Sequence, residues 1–156
     1  MSLERAREHL QKWDKGEEIK ELNVSSATVE LAAQALGIEE ARIAKTLAFM
    51  IDARPILIVT AGDTKIDNKK YRTLFGTKAR MIDKDLVEKY VGHAIGGVCP
   101  FGINEDVSVY LDVSLKRFAT VYPACGSANS AIEMTCEELE EIGRAEKWID
   151  VCKTEL

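Results

Sequence analysis

Three short stretches of this sequence combine residue types that could bind or activate a ligand. The first contains Lys45, which stands directly before the apolar run Thr46–Ile51. A lysine at the mouth of a buried strand either extends its ammonium group to solvent or holds an anionic or carbonyl group. The residues alone favour extension to solvent, and the binding role stays open as an alternative.

The second stretch is the glycine-rich loop, residues 92–102, which has glycines at positions 92, 96, 97 and 102. Glycines let a ligand approach the backbone closely, and Pro100 restricts the conformations of the loop. Such a loop can donate backbone hydrogen bonds to a carbonyl or an oxyanion without a catalytic side chain. A tight structural turn explains the same residues about equally well. The third stretch, residues 125–130, is a small polar turn that by itself predicts only a loop.

Common catalytic motifs are absent from the sequence. It has no nucleophile elbow, no phosphate-binding glycine motif and no zinc-protease motif. Of its two histidines, we predict that His9 is a solvated surface residue and that His93 has a structural or solvent-exposed role. A cysteine-dependent hydrolase using Cys99 or Cys125 is disfavoured, because neither residue has an evident histidine partner in the sequence.

The cysteine spacing also argues against a metal site. The four cysteines lie 26, 11 and 16 residues apart, without a C-x-x-C pair. A structural zinc site needs four convergent nitrogen or sulfur ligands, usually in close pairs. We therefore expect reduced structural thiols and no bound metal.

Composition and charge limit the remaining classes of function. The chain has 156 residues, of which 46% are hydrophobic and 30% charged, as in an ordinary soluble domain. Its net charge of −5 disfavours non-specific coating of nucleic acid. Residues 65–89 nevertheless hold eight Lys or Arg against four acids. No apolar run could cross a membrane and no signal peptide is evident, so we expect a cytoplasmic protein without membrane contact.

Alternating helices and strands must position these stretches. Hydrophobic periodicity and capping residues predict an α/β or α+β protein, with a sheet covered by helices. The predicted helices are residues 2–13, 67–75, 84–91 and 136–142. A further helix is predicted to begin at a cap, Ser25 or Ser26, and to end at Gly37. The predicted strands are 19–24, the hairpin 46–51 with 55–60, 78–82, 107–113, 117–122 and 131–135.

Taken together, these segments resemble a known family. Thr28-Val29-Glu30, and later Ile43-Ala44-Lys45-Thr46-Leu47, are similar to the opening of the YbaK/EbsC family, the free-standing relatives of the editing domain in bacterial prolyl-tRNA synthetases. Gly96, Pro100 and Gly102 match its G-x-x-x-P-x-G pattern, and the turn at Gly126 follows in the family's order. The resemblance is strongest over residues 20–142. It implies one domain over residues 1–156, with a mixed, barrel-like sheet flanked by helices.

The resemblance implies a trans-acting aminoacyl-tRNA deacylase that needs no metal and no cofactor. Because the aminoacyl ester is already activated and its ribose carries a neighbouring hydroxyl, the protein mainly has to position the ester and stabilise developing charge. The implied catalytic residues are Lys45, Gly97 and Gly102. The implied substrate-binding residues are Thr28, Thr46, Gly96, Val98, Pro100, Phe101, Gly126 and Ser127.

The resemblance also indicates a substrate and a partner. The Lys45-Thr46 pair is similar to the branch that removes cysteine, although Thr28 and the Ala124-Cys125-Gly126 turn depart from that branch. The implied substrate is the acceptor end of tRNA-Pro that carries cysteine or another small amino acid, with prolyl-tRNA synthetase as a candidate partner. The alternative is a non-catalytic module of the same fold that binds tRNA, a nucleotide or a synthetase.

Overall fold

The computed structural model describes residues 2–154. Within them, five α-helices alternate with ten β-strands. The helices are α1 (Ser2–Gln11), α2 (Val29–Leu36), α3 (Asn68–Phe75), α4 (Lys84–Val91) and α5 (Cys136–Ile142). The strands are β1 (Lys20–Glu21), β2 (Ile43–Ile51), β3 (Arg54–Ala61), β4 (Thr64–Ile66), β5 (Ser108–Asp112), β6 (Thr120–Pro123), β7 (Ser130–Ala131), β8 (Met134–Thr135), β9 (Lys147–Ile149) and β10 (Cys152–Thr154). None of the helices in this part of the chain is long and apolar enough to span a membrane.

A six-stranded mixed sheet forms the centre of the fold, in the order β8-β6-β2-β3-β5-β9. The antiparallel hairpin of β2 and β3 lies in its middle, and β6 and β5 run parallel to β2 and β3 respectively. Two further pairs, β1 with β7 and β4 with β10, lie outside it. The sheet curls into a half-barrel, which confirms the predicted mixed α/β architecture with a barrel-like sheet.

The central hairpin is apolar on both faces because both faces are covered. Successive side chains of a strand point to opposite sides. On one side, Ala48 and Leu57 belong to the largest buried cluster. On the other, Phe49 and Ile58 pack in a second cluster that includes Tyr71 of α3. This double burial explains the near-continuous apolar sequence of β2 and β3.

Several local predictions were wrong in detail. Of the predicted strand 19–24 only Lys20–Glu21 is a strand, Arg117 ends a 3-10 helix, and the predicted strand 131–135 is divided into β7 and β8. Thr28, rather than Ser25 or Ser26, caps α2: its extended backbone lets its hydroxyl accept a hydrogen bond from the Leu31 N–H. Residues 78–82 do not form a strand, because only Met81 makes a bridge, to Phe49. The predicted ends of α2, α3 and α4 are confirmed, since the glycine after each helix adopts a left-handed conformation.

Candidate active site

A cavity of about 240 Å³ opens beside the beginning of the central hairpin. Its walls come from four parts of the chain: the cap and first turn of α2, the first residues of β2, the glycine-rich loop, and the segment from β6 to β7. Most of the lining side chains are small or apolar, and Ser26, Thr28, Lys45, Thr46, Tyr122 and Ser130 supply the side-chain polar groups.

Five residues predicted from the sequence line this cavity together. They are Thr28, Lys45, Thr46, Gly96 and Val98. They lie up to 70 positions apart in the sequence, and the curled sheet brings them to one place. Their catalytic and binding roles stay predictions.

The two glycines predicted to be catalytic are placed differently. The N–H of Gly97 donates to the Ala94 carbonyl at 3.0 Å, and its Cα packs so closely on the later turn that a Cβ would lie 2.5 Å from the Ser127 nitrogen. The N–H of Gly102 donates to His9 Nδ1 at 2.9 Å. Neither residue lines the cavity. Because both N–H groups already have acceptors, these glycines shape the loop and do not present free donors to a ligand.

The other predicted binding residues also lie outside the cavity lining. Phe101 is fully buried in the main core, and Pro100 is buried beside Gly143. Gly126 packs against the backbone of Ser2, with no room for a Cβ, and the Ser127 hydroxyl lies 2.7 Å from that of Ser130. These residues hold the walls in place.

Lys45 is half-buried, and its ammonium group is already engaged. It donates to the backbone carbonyl of Thr64 in β4. Its charge also reaches Asp63: hydrogen bonding to Arg117 is the main cause of the lowered pKa of that carboxyl, and the Lys45 charge contributes to it. Lys45 therefore does not simply extend to solvent, and a substrate that binds its ammonium group must compete with a neutral carbonyl.

Two cavity residues carry hydroxyls without partners. The Oγ of Ser26 and the Oγ1 of Thr46 are buried, and no group among residues 2–154 hydrogen-bonds to either. A buried hydroxyl that lacks a partner costs about 1–3 kcal/mol. Both oxygens are closed off in this conformation, so the side chain must rotate before a ligand in the cavity can satisfy either of them. Sequence reasoning missed Ser26 as a site residue because its position before α2 indicated a helix cap.

Comparison with known proteins identifies the family. The model of the aminoacyl-tRNA editing domain matches residues 24–142. The chain belongs to the aminoacyl-tRNA editing domain family. This finding confirms the predicted resemblance and the predicted enzyme class, an aminoacyl-tRNA hydrolase.

Individual relatives agree with this assignment. The uncharacterized protein YwhH of Bacillus subtilis (strain 168) is 56% identical over 154 residues, which cover 98% of each chain. EbsC of Enterococcus faecalis, named as a proposed Cys-tRNA(Pro)/Cys-tRNA(Cys) deacylase, is 28% identical over 114 residues, covering 72% of this chain and 70% of EbsC. The crystal structure of a proposed trans-editing enzyme for prolyl tRNA synthetase superposes with a TM-score of 0.87 at 31% identity, with 97% of each chain covered.

The family also occurs inside larger proteins. The proline–tRNA ligase of Limosilactobacillus fermentum is 27% identical over 109 residues, which cover 66% of this chain but only 19% of the ligase. The likeness is therefore restricted to a small part of the ligase.

Few groups at this editing-domain cavity can titrate. Among the described residues, the lining contains no His, Cys, Asp or Glu side chain, and Lys45 and Tyr122 are its titratable groups. Burial raises the pKa of Tyr122, and its hydrogen bond with Glu133 adds to the effect. The lining thus includes one lysine and several hydroxyl-bearing residues but no carboxylate, imidazole or thiolate to act as a general base. Within residues 2–154, no group of three or more His, Cys, Asp or Glu residues is arranged to hold a metal ion.

Both histidines are buried, and neither lines the cavity. The prediction that His9 is a solvated surface residue was wrong, because its side chain is buried and both ring nitrogens have partners. His93 is fully buried, with Nε2 2.6 Å from the Phe101 carbonyl, in agreement with a structural role.

Cys99 has a histidine neighbour that the sequence did not reveal. Its Sγ lies 3.5 Å from His93 Nε2. Complete burial nevertheless raises the pKa of Cys99 to about 12, so the group is a thiol at neutral pH and not the thiolate that attacks esters. Neither Cys99 nor Cys125 lines the cavity, which argues against a cysteine-dependent hydrolase.

Proposed function

We propose that this protein is a trans-acting deacylase that hydrolyses the ester bond of mischarged tRNA in the cavity beside β2. The observation that carries the proposal is the meeting of Lys45, Thr46 and the glycine-rich loop in one cavity of an editing-domain chain. The terminal adenosine and its aminoacyl group would enter this cavity, and the rest of the tRNA would remain outside it.

The proposed reaction needs no base from the protein. Water attacks the ester carbonyl carbon, with its proton accepted through the neighbouring ribose hydroxyl. The bond from that carbon to the ribose oxygen then breaks, and the oxygen leaves as a hydroxyl. The products are the free amino acid and tRNA with an intact terminal ribose. The absence of a carboxylate, imidazole or thiolate from the described cavity lining supports this route over general-base catalysis by a side chain.

Negative charge on the carbonyl oxygen needs donors that are not already occupied. The N–H groups of Gly96 and Val98 have no acceptor among the described residues, and both residues line the cavity. Together with the Lys45 ammonium, they are the proposed donors to the developing oxyanion. A preorganised backbone donor of this kind contributes about 3–4 kcal/mol in enzymes that stabilise an oxyanion.

The chemistry of the walls supports a small amino acid as the removed group. Ala27, Ala32 and Ala44 provide short apolar side chains. The hydroxyls of Ser26 and Thr46 have no partner, and after a side-chain rotation either could hydrogen-bond to a thiol or a hydroxyl. We therefore propose cysteine on tRNA-Pro as the preferred substrate, with serine and alanine on the same tRNA as competitors.

Replacing Thr46 with valine tests this selectivity. Valine has nearly the shape of threonine but no hydroxyl, so we expect kcat/KM for Cys-tRNA-Pro to fall by about five- to tenfold, which corresponds to about 1 kcal/mol. The value for Ala-tRNA-Pro should change less. Thr46→Ser, which keeps the hydroxyl, is the matched control. Equal losses on both substrates in Thr46→Val would contradict a role for the hydroxyl in selectivity.

The basic segment between β4 and α4 is the proposed contact for the tRNA body. Its side chains at Lys69, Arg72, Lys78 and Arg80 are exposed and form no ion pair within the described chain, whereas Lys70 is paired with Asp150. Residues 80–82 are hydrogen-bonded to β2 at Ala48 and Met50, only a few positions beyond the cavity-lining part of the same strand. Phosphates near the acceptor end could therefore lie along this segment.

A triple variant, Lys69→Ala with Arg72→Ala and Lys78→Ala, should bind tRNA more weakly and with a flatter salt dependence. Each lost phosphate contact lowers the slope of log K against log salt by about 0.7–0.9. Binding measured across a salt series tests the prediction. Lys116→Ala with Lys147→Ala removes exposed charges elsewhere and serves as the control. An unchanged slope in the triple variant would show that these side chains face solvent in the complex.

A measurement of catalytic turnover distinguishes an enzyme from the alternative, which is a non-catalytic module that binds tRNA, a nucleotide or a synthetase. Purified protein should release cysteine from Cys-tRNA-Pro at a rate proportional to protein concentration, with and without prolyl-tRNA synthetase. Binding of tRNA without release of any amino acid from a panel that carries cysteine, alanine or serine would favour the module. A synthetase partner and a cytoplasmic location belong to the proposal, because charged tRNA is produced and used in that compartment.

A further inference from the structure

We propose that His9 is a positioning residue for the glycine-rich loop, and that the loop keeps its active geometry only while the His9 ring is neutral. The inference rests on the proposed deacylase function but concerns a residue outside the cavity. His9 also lies outside residues 24–142, the part matched by the editing-domain family.

The two hydrogen bonds of His9 define its protonation state. Nε2 lies 2.6 Å from the Ile142 carbonyl oxygen, which can only accept, so Nε2 must carry a hydrogen. Nδ1 lies 2.9 Å from the Gly102 nitrogen, whose N–H can only donate, so Nδ1 must be an unprotonated acceptor. The ring is therefore the neutral tautomer with its hydrogen on Nε2. A proton added to Nδ1 would set two N–H donors against each other.

The loop has little freedom to absorb a displacement at Gly102. The backbone carbonyl of Arg5 is so close that a Cβ on Gly102 would lie 2.4 Å from it. The preceding residue, Phe101, is fully buried, and its carbonyl accepts from the His93 ring. The same loop carries Gly96 and Val98, the proposed oxyanion donors. A break between His9 and Gly102 would therefore shift the cavity wall.

The surroundings of His9 disfavour a positive charge. Burial is the main cause of its lowered pKa, the charges of Arg144 and Lys12 act in the same direction, and the hydrogen bond to Ile142 opposes them. The ring stacks on Trp13, whose Nε1 donates to Glu141, and packs against Phe101. The other charged or titratable neighbours are His93 and Arg5 next to the loop, and Glu105, which lines a small cavity with His9.

The direction of the pH effect follows from this lowered pKa. The unfolded chain binds a proton at His9 near the ordinary histidine pKa of about 6.5, whereas the folded chain resists it to lower pH. The contribution of His9 to stability is therefore complete above about pH 6.5 and declines as the pH falls through the folded pKa. The rate of deacylation should fall with decreasing pH in this region, which gives the pH–rate profile an acidic limb. The reason is that protonated His9 no longer accepts a hydrogen bond from the Gly102 N–H.

Two substitutions at His9 test its two hydrogen bonds separately. His9→Asn places an amide oxygen near the position of Nδ1, so it keeps an acceptor for Gly102 and cannot titrate. His9→Gln reaches the position of Nε2, so it can serve Ile142 but leaves the Gly102 N–H without its acceptor. Glu8→Gln, at an exposed neighbouring position of α1, is the control for introducing an amide side chain on this helix.

We expect His9→Asn to retain kcat within about threefold of wild type at neutral pH and to lose most of the acidic limb. His9→Gln should lower kcat at least about tenfold with little change in KM, although its thermal midpoint stays close to that of His9→Asn. A weaker acidic limb that remains in His9→Asn comes from the other titrating groups, namely His93 and the α-amino group of the substrate. Equal loss of kcat in both variants, or a wild-type acidic limb in His9→Asn, would overturn the proposal.

A second measurement keeps this inference separate from the proposed function. The Gly102 amide should exchange slowly with solvent deuterium above about pH 6.5, and its opening equilibrium should increase below that pH in wild type but not in His9→Asn. If wild-type protein deacylates no tRNA and the amide behaves as described, the proposed function fails and the coupling of His9 to the loop stands. If the Gly102 amide is unprotected in wild type, the positioning role is wrong.

Discussion

Replacing Lys45 with alanine is expected to lower the rate of deacylation at least about tenfold, which corresponds to about 1.4 kcal/mol of transition-state stabilisation. Lys45 supplies the ammonium group among the described side chains that line the cavity, and the proposed oxyanion has no other cation there. Lys45→Met removes the charge but keeps an apolar stem of similar length. A comparable loss in both variants would assign the effect to the charge and not to the packing.

The stability of these variants should change little. Both variants lack the ammonium group, and the protein therefore loses one hydrogen bond to the Thr64 carbonyl, which contributes about 1 kcal/mol. For a protein of this size, such a loss lowers Tm by about 2–4 °C. Lys65→Ala is the matched control, since Lys65 is exposed on β4 directly after Thr64. Near-wild-type turnover by folded Lys45→Ala protein would exclude the catalytic role.

Gly97→Ala should destabilise the protein by about 3 kcal/mol and lower Tm by about 6–12 °C. The added Cβ would lie 2.5 Å from the Ser127 nitrogen and 2.6 Å from the Gly126 carbonyl carbon. Both atoms belong to backbone, so the loop and the later turn must separate. Activity should fall together with the thermal midpoint, measured on the same samples.

Gly96→Ala provides the comparison, because this Cβ would meet the Cβ atoms of Ala27 and Ala128 at 3.4 and 3.5 Å and the Ala27 Cα only at 3.9 Å. Its positive φ of 96° still carries a conformational cost of about 1–2 kcal/mol. We therefore expect Gly96→Ala to be less destabilised than Gly97→Ala. Relative to its decrease in Tm, Gly96→Ala should lose more activity. If Gly97→Ala lost activity without any change of Tm, the sequence-based role of Gly97 as a ligand contact would be restored.

Local chemistry made much of the fold predictable. The apolar runs of β2 and β3 and the glycines that end three helices act through neighbouring residues, and the structure confirms the elements they predict. Short strands were missed where pairing comes from distant partners. β4 and β10 have only three residues each, and they exist because residues 64–66 meet residues 152–154.

In the candidate site, too, local patterns were predictable and distant contacts were not. The family pattern identified Lys45 and the glycine-rich loop, but it did not distinguish the loop residues that face the cavity from those that pack on α1 or on the turn at residues 126–127. Gly97 lies against Ser127, and Gly102 lies against Arg5. These neighbours, which the sequence pattern does not show, keep both glycines out of the cavity lining. The buried state of His9 was equally invisible, because its partners Gly102 and Ile142 lie 93 and 133 positions away.

These distant contacts have a consequence for the order in which the nascent chain can become active. α1 is synthesised early, yet the bonds of His9 cannot form until Gly102 and Ile142 have left the ribosome. β9 and β10 must then pair with β5 and β4, which were made far earlier. Long-range pairings of this kind slow folding, since loop closure costs entropy before any contact compensates for it. During elongation the glycine-rich loop therefore emerges before its supports are complete, and deacylase activity should arise only after nearly all of the chain has been released.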